Sequence, residues 1–234
     1  MKRLLGTLAM ACALTLGVSG LANGSTINVN NASFETLGAG GLPLTGCGTG
    51  CSYSEDFIPD WTNTQVGSTS GQFRPGSASG NTAYFNYVPD GLTLAYSNYS
   101  QISQVVGTAT AGVTYTLLVD IGLRADCATF SGCGNLGAAG LLINGVTHLA
   151  TGAVPVQGTF SLFTLIYTAV AGDNGQNITV VLNPTGTQAD YDNVRLSNDL
   201  STTPTTAAVP EPATLSLLGI ALAGLAGRKL FARK

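Results

Sequence analysis

The side chains best suited to catalysis are a few carboxylates and one histidine. Glu55, Asp56 and Asp60 lie close together in the chain, and glycoside hydrolysis requires two carboxylates at a set separation. His148 is the only histidine, and a hydrolytic triad requires a histidine as base. His148 sits beside an Asn-Gly pair, the three carboxylates lie in a turn-rich segment, and the chain contains no Gly-x-Ser-x-Gly motif. The sequence therefore predicts that the protein is not an enzyme. The alternative is a divergent extracellular hydrolase that uses Glu55, Asp56 or His148.

Tyrosine and asparagine residues are concentrated between positions 84 and 99. Sugar binding uses exposed aromatic faces together with polar groups that bond to hydroxyls. If residues 84–87 form a strand, alternation places Tyr84 and Asn86 on one face and Phe85 and Tyr87 on the other. One alternative is that these aromatic residues simply pack in the core. The sequence predicts a ligand-binding group made of Tyr84, Asn86, Tyr96 and Tyr99.

Four cysteines lie in the body of the chain, in two close pairs. An even number of cysteines in an exported protein indicates disulfides, and each pair brackets a loop that contains glycine. Local bridges would contribute on the order of 2 kcal/mol each, which would fix loop shape more than the fold. Cross-pairing and free or metal-bound thiols are the alternatives. We expect the bridges to join Cys47 to Cys51 and Cys127 to Cys133.

Charge is distributed unevenly along the chain. All twelve acidic residues lie between Glu35 and Glu211, whereas that interval contains only three basic residues, Arg74, Arg124 and Arg195. Nucleic-acid binding requires clustered lysine and arginine side chains that neutralise phosphates. The sequence therefore excludes nucleic acid as a partner of the body.

Residues 1–24 have the features of a secretory signal peptide. Lys2 and Arg3 precede an apolar stretch over residues 4–18, and small residues follow. The stretch is shorter than the roughly 20 apolar residues of a membrane-spanning helix, which argues against an uncleaved anchor. We therefore expect the protein to be exported.

Residues 209–234 combine a Pro-Glu-Pro motif, an apolar run and a basic end. Pro212 is placed to start a helix over residues 213–227, and Arg228 and Lys229 follow it. The alternative is a plain single-span tail anchor. The segment resembles the PEP-CTERM sorting signal of Gram-negative bacteria, with Pro210, Glu211 and Pro212 as the motif. That resemblance implies processing by exosortase-type machinery, transient anchoring in the inner membrane and sorting to the cell surface or extracellular matrix.

Strand patterns dominate the body, residues 25–197. Val-, Ile-, Thr- and Tyr-rich segments are separated by Gly, Asn, Asp or Pro, and Asn144-Gly145 is a strong hairpin signal. No stretch has a sustained helical period, so the sequence predicts an all-β body, a two-sheet β-sandwich or jelly roll. Residues 198–208 are predicted to link it to the tail. The strand segments are residues 101–106, 113–123, 141–143, 146–149, 159–170, 178–182 and 191–196.

The two ends of the body carry short motifs. Val29-Asn30-Asn31-Ala32-Ser33-Phe34-Glu35 is followed by Ile58-Pro59-Asp60-Trp61, and the body ends with Asp190-Tyr191-Asp192-Asn193-Val194-Arg195-Leu196. This pair resembles the galactose-binding-like β-sandwiches, particularly carbohydrate-binding modules. The resemblance implies that the first and last strands are neighbours. It also implies that Glu35 and Asp192 help to hold a structural calcium ion, which takes oxygen ligands. The alternative is that Glu35 and Asp192 are ordinary solvent-facing carboxylates.

Asp60 departs from the pattern of these modules, since glycine often precedes the tryptophan. Trp61 is expected in the core rather than as a binding platform.

These observations together predict an exported, non-catalytic β-sandwich protein that binds extracellular polysaccharide. A purely structural or adhesive matrix component without glycan binding is the alternative.

Overall fold

The computed structural model describes residues 24–47, 50–55, 57–63, 70–76, 84–128, 136–185 and 188–199. The predicted signal peptide up to residue 23, the segment beyond Asp199 with Pro210, Glu211 and Pro212, and Asp56 and Cys133 lie outside these residues. None of the described helices is long and apolar enough to cross a membrane. The predicted tail helix over 213–227 lies outside the described residues.

The described part of the chain consists of strands joined by loops and two short 3₁₀ helices, Ala125–Ala128 and Ala171–Asp173. The strands are β1 (Ser25–Ile27), β2 (Ser52–Tyr53), β3 (Thr62–Asn63), β4 (Ser70–Arg74), β5 (Leu94–Ser97), β6 (Ile102–Thr108), β7 (Thr114–Leu123), β8 (Gly137–Ile143), β9 (Val146–Leu149), β10 (Thr151–Gly152), β11 (Thr159–Thr168), β12 (Asn177–Pro184) and β13 (Ala189–Asp199).

These strands form two antiparallel sheets. The larger sheet has the order β10-β11-β7-β13-β5-β4-β2, with β1 also paired to β13. The smaller sheet has the order β3-β6-β12-β8-β9. The predicted all-β, two-sheet sandwich is therefore confirmed. The pairing of Ile27 with Leu196 places the first strand beside the last one, as the resemblance implied.

The long strands lie where the sequence predicted them, and one short segment does not form a strand. Asn144 and Gly145 both have positive φ, 51° and 75°, as the turn between β8 and β9 requires. Tyr84–Tyr87, by contrast, form a loop, so the predicted alternation of their side chains is wrong. Their backbone bonds to two separate segments: Tyr84 O accepts from Ala125 N, and Asn86 N donates to Gly158 O.

A single apolar core fills the space between the sheets. Alternate residues of β7 face it, among them Tyr115, Leu117 and Ile121, and Leu141 and Leu182 face it from the smaller sheet. Period-two alternation puts one face of each strand in this core and leaves the other available for a site.

Trp61 also belongs to the core. It is 3% exposed and lies 5.3 Å from the fully buried Phe34, measured between ring centroids. The predicted role of Trp61 as a core residue is confirmed.

Asn31 joins the two opening motifs. Its Nδ2 donates to Pro59 O and Thr36 O, its Oδ1 accepts from Thr36 N, and its carbonyl accepts from Trp61 Nε1. Asp60, between Pro59 and Trp61, has a φ of 71°, the left-handed region that favours glycine and that aspartate tolerates better than most residues.

Candidate functional site

Strand β13 carries two aspartates on the face of the larger sheet that is turned away from the core. Tyr191 packs in the core, so Asp190 and Asp192 on either side of it point the other way. Asp190 pairs with Tyr96 on β5 and with Gly122 on β7. We call this side of the larger sheet the outer face.

A second apolar cluster covers part of the outer face. Its buried members come from β4, β5, β11 and two loops, and they are Cys51, Phe73, Phe85, Leu94, Tyr96 and Phe160. The rings of Phe85 and Phe160 lie 4.6 Å apart. Gly122 allows this approach, because a Cβ there would lie 2.7 Å from Phe160 and 2.8 Å from Phe85.

A pocket of about 300 Å³ opens beside this cluster. Aromatic, amide and charged side chains surround it together, a composition typical of small-molecule sites. The residues that line it are Gly46, Cys47, Tyr53, Glu55, Phe73, Tyr84, Tyr96, Asn98, Arg124 and Gln188.

Edge-to-face contacts between aromatic side chains fix the positions of the pocket walls. Phe73 and Tyr84 meet edge to face at 5.3 Å, and Tyr53 meets Tyr96 in the same way at 6.3 Å. The Tyr96 hydroxyl donates to Ser54 O at 2.8 Å, which fixes the ring against the segment that carries Tyr53 and Glu55. Burial is the main reason that the pKa of Tyr96 lies above its usual range. This hydroxyl is a donor and not a proton source near neutral pH.

The Cys47–Cys51 disulfide closes one side of the pocket, and this predicted bridge is confirmed. Cys47 lines the pocket, and its carbonyl accepts a hydrogen bond from the Tyr84 hydroxyl. Cys51 is buried in the second cluster. The predicted Cys127–Cys133 bridge lies outside the described residues.

Reduction of the Cys47–Cys51 bridge is expected to weaken ligand binding more than it weakens the fold. The closed loop is short, so the bridge contributes on the order of 2 kcal/mol to stability, but it holds the carbonyl that positions Tyr84. We expect a Cys51→Ser variant to lose about tenfold in affinity for any ligand of this pocket, measured by calorimetric titration. Unchanged affinity in the variant would contradict this role of the bridge.

Among the described residues that line the pocket, Arg124 is the one cation. Its Nε and Nη2 donate to the two carboxylate oxygens of Asp126 at 2.9 and 2.6 Å, and its Nη1 donates to Gln188 Oε1 at 2.7 Å. Its guanidinium also lies 4.5 Å from the centre of the Tyr84 ring. Asp126 therefore balances the charge of Arg124, and the guanidinium fixes Tyr84 and Gln188 in place.

Asp190 lies beneath this lining. It is 2% exposed, and Gln188 Nε2 donates to its Oδ1 at 3.3 Å. Burial raises the pKa of the Asp190 carboxyl to about 7, against the opposing effects of Arg124 and the Gln188 bond. A carboxyl group with such a pKa can both donate and accept a proton near neutral pH, as general acid catalysis requires.

The stability of the protein is expected to fall as the pH rises from about 4 to about 8. The folded state keeps the proton of Asp190 up to a pKa of about 7, whereas the unfolded chain releases it near its ordinary value of 3.8. Asp192, whose pKa burial raises to about 8, acts in the same direction. The loss is on the order of 4 kcal/mol for Asp190.

Urea unfolding at several pH values measures this dependence. We expect an Asp190→Asn variant to show a flatter curve than the wild type, because asparagine has no proton to release. Parallel curves for the two proteins would show that Asp190 titrates in the folded state as it does in the unfolded chain.

The structure brings two of the four predicted ligand-binding residues together. Tyr84 and Tyr96 both line the pocket. Asn86 and Tyr99 do not: Asn86 lies beside Gly158, and Tyr99 is 62% exposed outside the pocket.

The candidate carboxylates and the histidine also occupy separate places. Glu55 lines the pocket, whereas His148 lies on β9 of the smaller sheet with its ring stacked 3.7 Å from that of Tyr167. Tyr167 in turn donates to Asp173. Within the described ranges, His148 stacks on Tyr167 and forms no hydrogen bond to a carboxylate, unlike the base of a hydrolytic triad.

Glu35 and Asp192 converge on one loop, residues 90–93. Glu35 Oε1 accepts from Leu92 N and Thr93 N at 2.7 and 2.6 Å, and Asp192 Oδ2 accepts from Asp90 N at 2.8 Å. Backbone N–H groups thus already bond to one oxygen of Glu35 and to both oxygens of Asp192. Within the described ranges, no three His, Cys, Asp or Glu side chains form a group that could hold a metal ion. Two engaged carboxylates do not make a calcium site by themselves, since calcium takes about six to eight oxygen ligands.

The calcium site thus remains a prediction of the resemblance, and thermal unfolding tests it. If calcium binds at Glu35 and Asp192, millimolar calcium is expected to raise the Tm and EDTA to lower it, because a ligand of the folded state alone stabilises that state. A Tm that is the same in calcium and in EDTA would contradict the prediction.

Two family models match the chain, and together they account for most of it. Residues 208–234 match the PEP-CTERM protein-sorting motif, which confirms the predicted sorting signal. The chain is therefore an exported protein, sorted through exosortase-type machinery in Gram-negative bacteria. Residues 25–197 match the HpiC1-like family, described as HpiC1 cyclase. No curated protein sequence matches the chain.

Solved cyclases share the fold of the body. The Stig cyclase Fisc from Fischerella sp. TAU, in complex with (3Z)-3-(1-methyl-2-pyrrolidinylidene)-3H-indole, is 22% identical, with a TM-score of 0.59 over 76% of this chain and 98% of that one. A cyclase from the same source, in complex with 4-(1H-indol-3-yl)butan-2-one, is also 22% identical, with a TM-score of 0.55 over 74% of this chain and 97% of that one.

Carbohydrate-binding modules are also structural neighbours, as the sequence motifs indicated. The CBM22-1 xylan-binding domain of Paenibacillus barcinonensis Xyn10C is 13% identical, with a TM-score of 0.44 over 76% of this chain and 97% of that one. The predicted resemblance is confirmed as a likeness between β-sandwiches.

The prediction that the protein is not an enzyme is contradicted by the cyclase family match. It depended on the absence of a histidine triad and of a clear carboxylate pair, and acid catalysis by one buried carboxyl group requires neither. The match spans residues 25–197, which is well over half of the chain. This chain belongs to the HpiC1-like cyclase family.

Proposed function

We propose that the body catalyses an acid-assisted ring closure of a small aromatic substrate, with Asp190 as the proton donor. One observation carries this proposal. A buried carboxyl group with a pKa of about 7 lies beneath an aromatic pocket, in a chain of a cyclase family.

The reaction we propose begins with proton transfer from the Asp190 carboxyl group to an unsaturated carbon of the substrate. A second π bond of the substrate then attacks the resulting cation and forms the new ring bond. Loss of a proton from the cyclised cation to the Asp190 carboxylate restores the carboxyl group. The product is an isomer of the substrate, and the reaction consumes no other reactant.

The aromatic walls suit such an intermediate. The faces of Tyr53, Tyr84 and Tyr96 attract positive charge, and the guanidinium of Arg124 already lies over one of them. The Ser54 and Cys47 carbonyls fix the hydroxyls of Tyr96 and Tyr84, so these rings are held in place before the substrate binds. The fixed aromatic rings therefore stabilise the positive charge that develops on the substrate during ring closure.

We propose an indole-bearing molecule as the substrate class. The two Fischerella cyclases were solved with compounds that contain an indole ring. The volume of about 300 Å³ lies at the lower end of the range of small-molecule pockets, which suits a compact bicyclic ring with a short side chain.

Mass spectrometry of reaction mixtures tests this function. The purified protein is incubated with indoles that carry an unsaturated side chain at the 3-position, and the products are separated by chromatography. We expect a product with the mass of the substrate and a different retention time. The absence of any isomer across such a panel, with a protein shown to be folded, would contradict the proposal.

Polysaccharide binding is a second candidate function. Tyr84 and Tyr96 line the pocket together with the amides of Asn98 and Gln188, and sugar sites combine aromatic faces with such polar groups. Retention of the protein in gels that contain bacterial exopolysaccharides, lost in Tyr84→Ala and Tyr96→Ala variants, would support it. No retention would leave either the cyclase or a purely structural or adhesive matrix protein.

We propose the cell surface or extracellular matrix as the final location, after transient anchoring in the inner membrane. The sorting motif over residues 208–234 supports it. Fractionation of cells that have intact sorting machinery is expected to place the protein in the surface fraction. Its complete retention in the inner membrane would contradict this location.

A further inference from the structure

Glu55 is a pocket carboxylate that is paired with no cation among the residues that the structure describes. It lines the pocket and is exposed to solvent within it. The body contains three arginines, and in the described part of the chain none of them forms an ion pair with Glu55. Arg124 pairs with Asp126, Arg195 lies 3.7 Å from Asp120, and Arg74 donates to Thr93 Oγ1. Among the described residues, Glu55 forms no ion pair.

The other charges around the pocket do not offset Glu55. Arg124 and Asp126 neutralise each other through two hydrogen bonds. Asp190 lies beneath the lining. Its carboxyl group is neutral when protonated and adds a further negative charge when ionised. The described side chains around the pocket therefore carry a net negative formal charge, which opposes an anionic ligand and attracts a cationic one.

The aromatic walls reinforce this preference. Glu55 lies near Tyr96, whose ring meets Tyr53 edge to face. A cation between such rings and a carboxylate gains both cation–π and ion-pair attraction. The guanidinium over Tyr84 is an example of this attraction within the same pocket.

We infer that the pocket prefers a ring compound that carries a positive charge, such as a protonated amine, and that Glu55 is the residue that sets this preference. The inference rests on the proposed function, which places an aromatic ring in this pocket.

Three indole probes of similar size and different charge test the inference on the purified protein. Tryptamine is protonated at neutral pH, 4-(1H-indol-3-yl)butan-2-one is neutral, and indole-3-propionate is an anion. Calorimetric titration at low salt is expected to give a Kd for tryptamine about tenfold lower than that for the ketone, and a Kd for the anion about tenfold higher. Added salt should reduce both differences.

Variants at Glu55 assign the preference to that side chain. Glu55→Gln is expected to bring the Kd of tryptamine within about twofold of that of the ketone, and Glu55→Lys should reverse the order of tryptamine and the propionate. Asp60→Asn is the matched control: it removes the same charge outside the pocket, and asparagine tolerates the positive φ of that position. It should preserve the wild-type order.

The outcomes separate this inference from the proposed function. Ketone binding without any preference for tryptamine would overturn the inference and leave the proposed aromatic site intact. A preference that persists in Glu55→Gln would overturn the role of Glu55. If the wild type binds none of the three probes, the proposed aromatic site fails, and the inference fails with it.

Discussion

Replacing Asp190 with asparagine is expected to lower turnover by about 10²–10⁴-fold, the usual contribution of a general acid. Asparagine has nearly the same shape and can still bond to Gln188, so the fold and the affinity for ligands should be retained. Removal of a buried ionisable carboxyl group should also stabilise the protein above neutral pH. Initial rates of isomer formation, with the Tm measured alongside, test this prediction.

Asp192→Asn is the matched control for Asp190→Asn. Asp192 is equally buried on the same face of β13, and burial raises its pKa to about 8. Its carboxylate accepts from Asp90 N and Asn193 N, whereas Asp190 accepts from Gln188, a residue that lines the pocket. We expect this variant to keep most of the turnover. Equal rates for Asp190→Asn and the wild type, or equal losses in the two variants, would show that Asp190 has no special role in proton transfer.

Replacing Gly71 with alanine is expected to destabilise the protein by about 3 kcal/mol, near the upper end of the range for overpacking. A Cβ at this position would lie 2.0 Å from Ser54 O and 2.8 Å from Ser54 C, which are backbone atoms. Ser54 is held on β4 by its N–H bond to Gln72 O, and its carbonyl accepts from Tyr96. The displaced segment would carry Tyr53 and Glu55 with it, so pocket ligands should bind more weakly as well.

Gly107→Ala provides the comparison for Gly71→Ala. Gly107 also lies in a strand, and a Cβ there would meet no atom within 4 Å. We expect its unfolding free energy to stay within about 0.5 kcal/mol of the wild-type value, as for most surface changes. Similar urea midpoints for the two variants would show that the Ser54 segment can move aside without cost.

The strands were predictable because their signals are local. Val- and Thr-rich segments bounded by turn residues predicted strands over 113–123 and 159–170, and the structure has them at Thr114–Leu123 and Thr159–Thr168. The Asn144-Gly145 pair predicted a hairpin, and the structure has the positive φ values of its turn. The strand prediction for Tyr84–Tyr87 was wrong because the conformation of this segment depends on contacts that are distant in sequence. Aromatic residues favour strands, but the backbone of this segment bonds to Ala125 and Gly158, which are distant in sequence.

The site was only partly predictable. Tyr84 and Tyr96 could be named from composition, because sugar and aromatic ligands both use exposed rings. Alternation along β13 could have shown that Asp190 and Asp192 share a face. It could not have shown that burial raises the pKa of Asp190, since that depends on the residues that pack over the strand.

The central claim is that Asp190 transfers a proton to the substrate, and turnover in deuterium oxide tests it most directly. The carboxyl group exchanges with solvent, so the account predicts that the wild-type product carries one deuterium on a carbon atom and that Asp190→Asn forms almost no labelled product. A cyclised product without deuterium on carbon would contradict the account, because ring closure would then proceed without protonation by the protein.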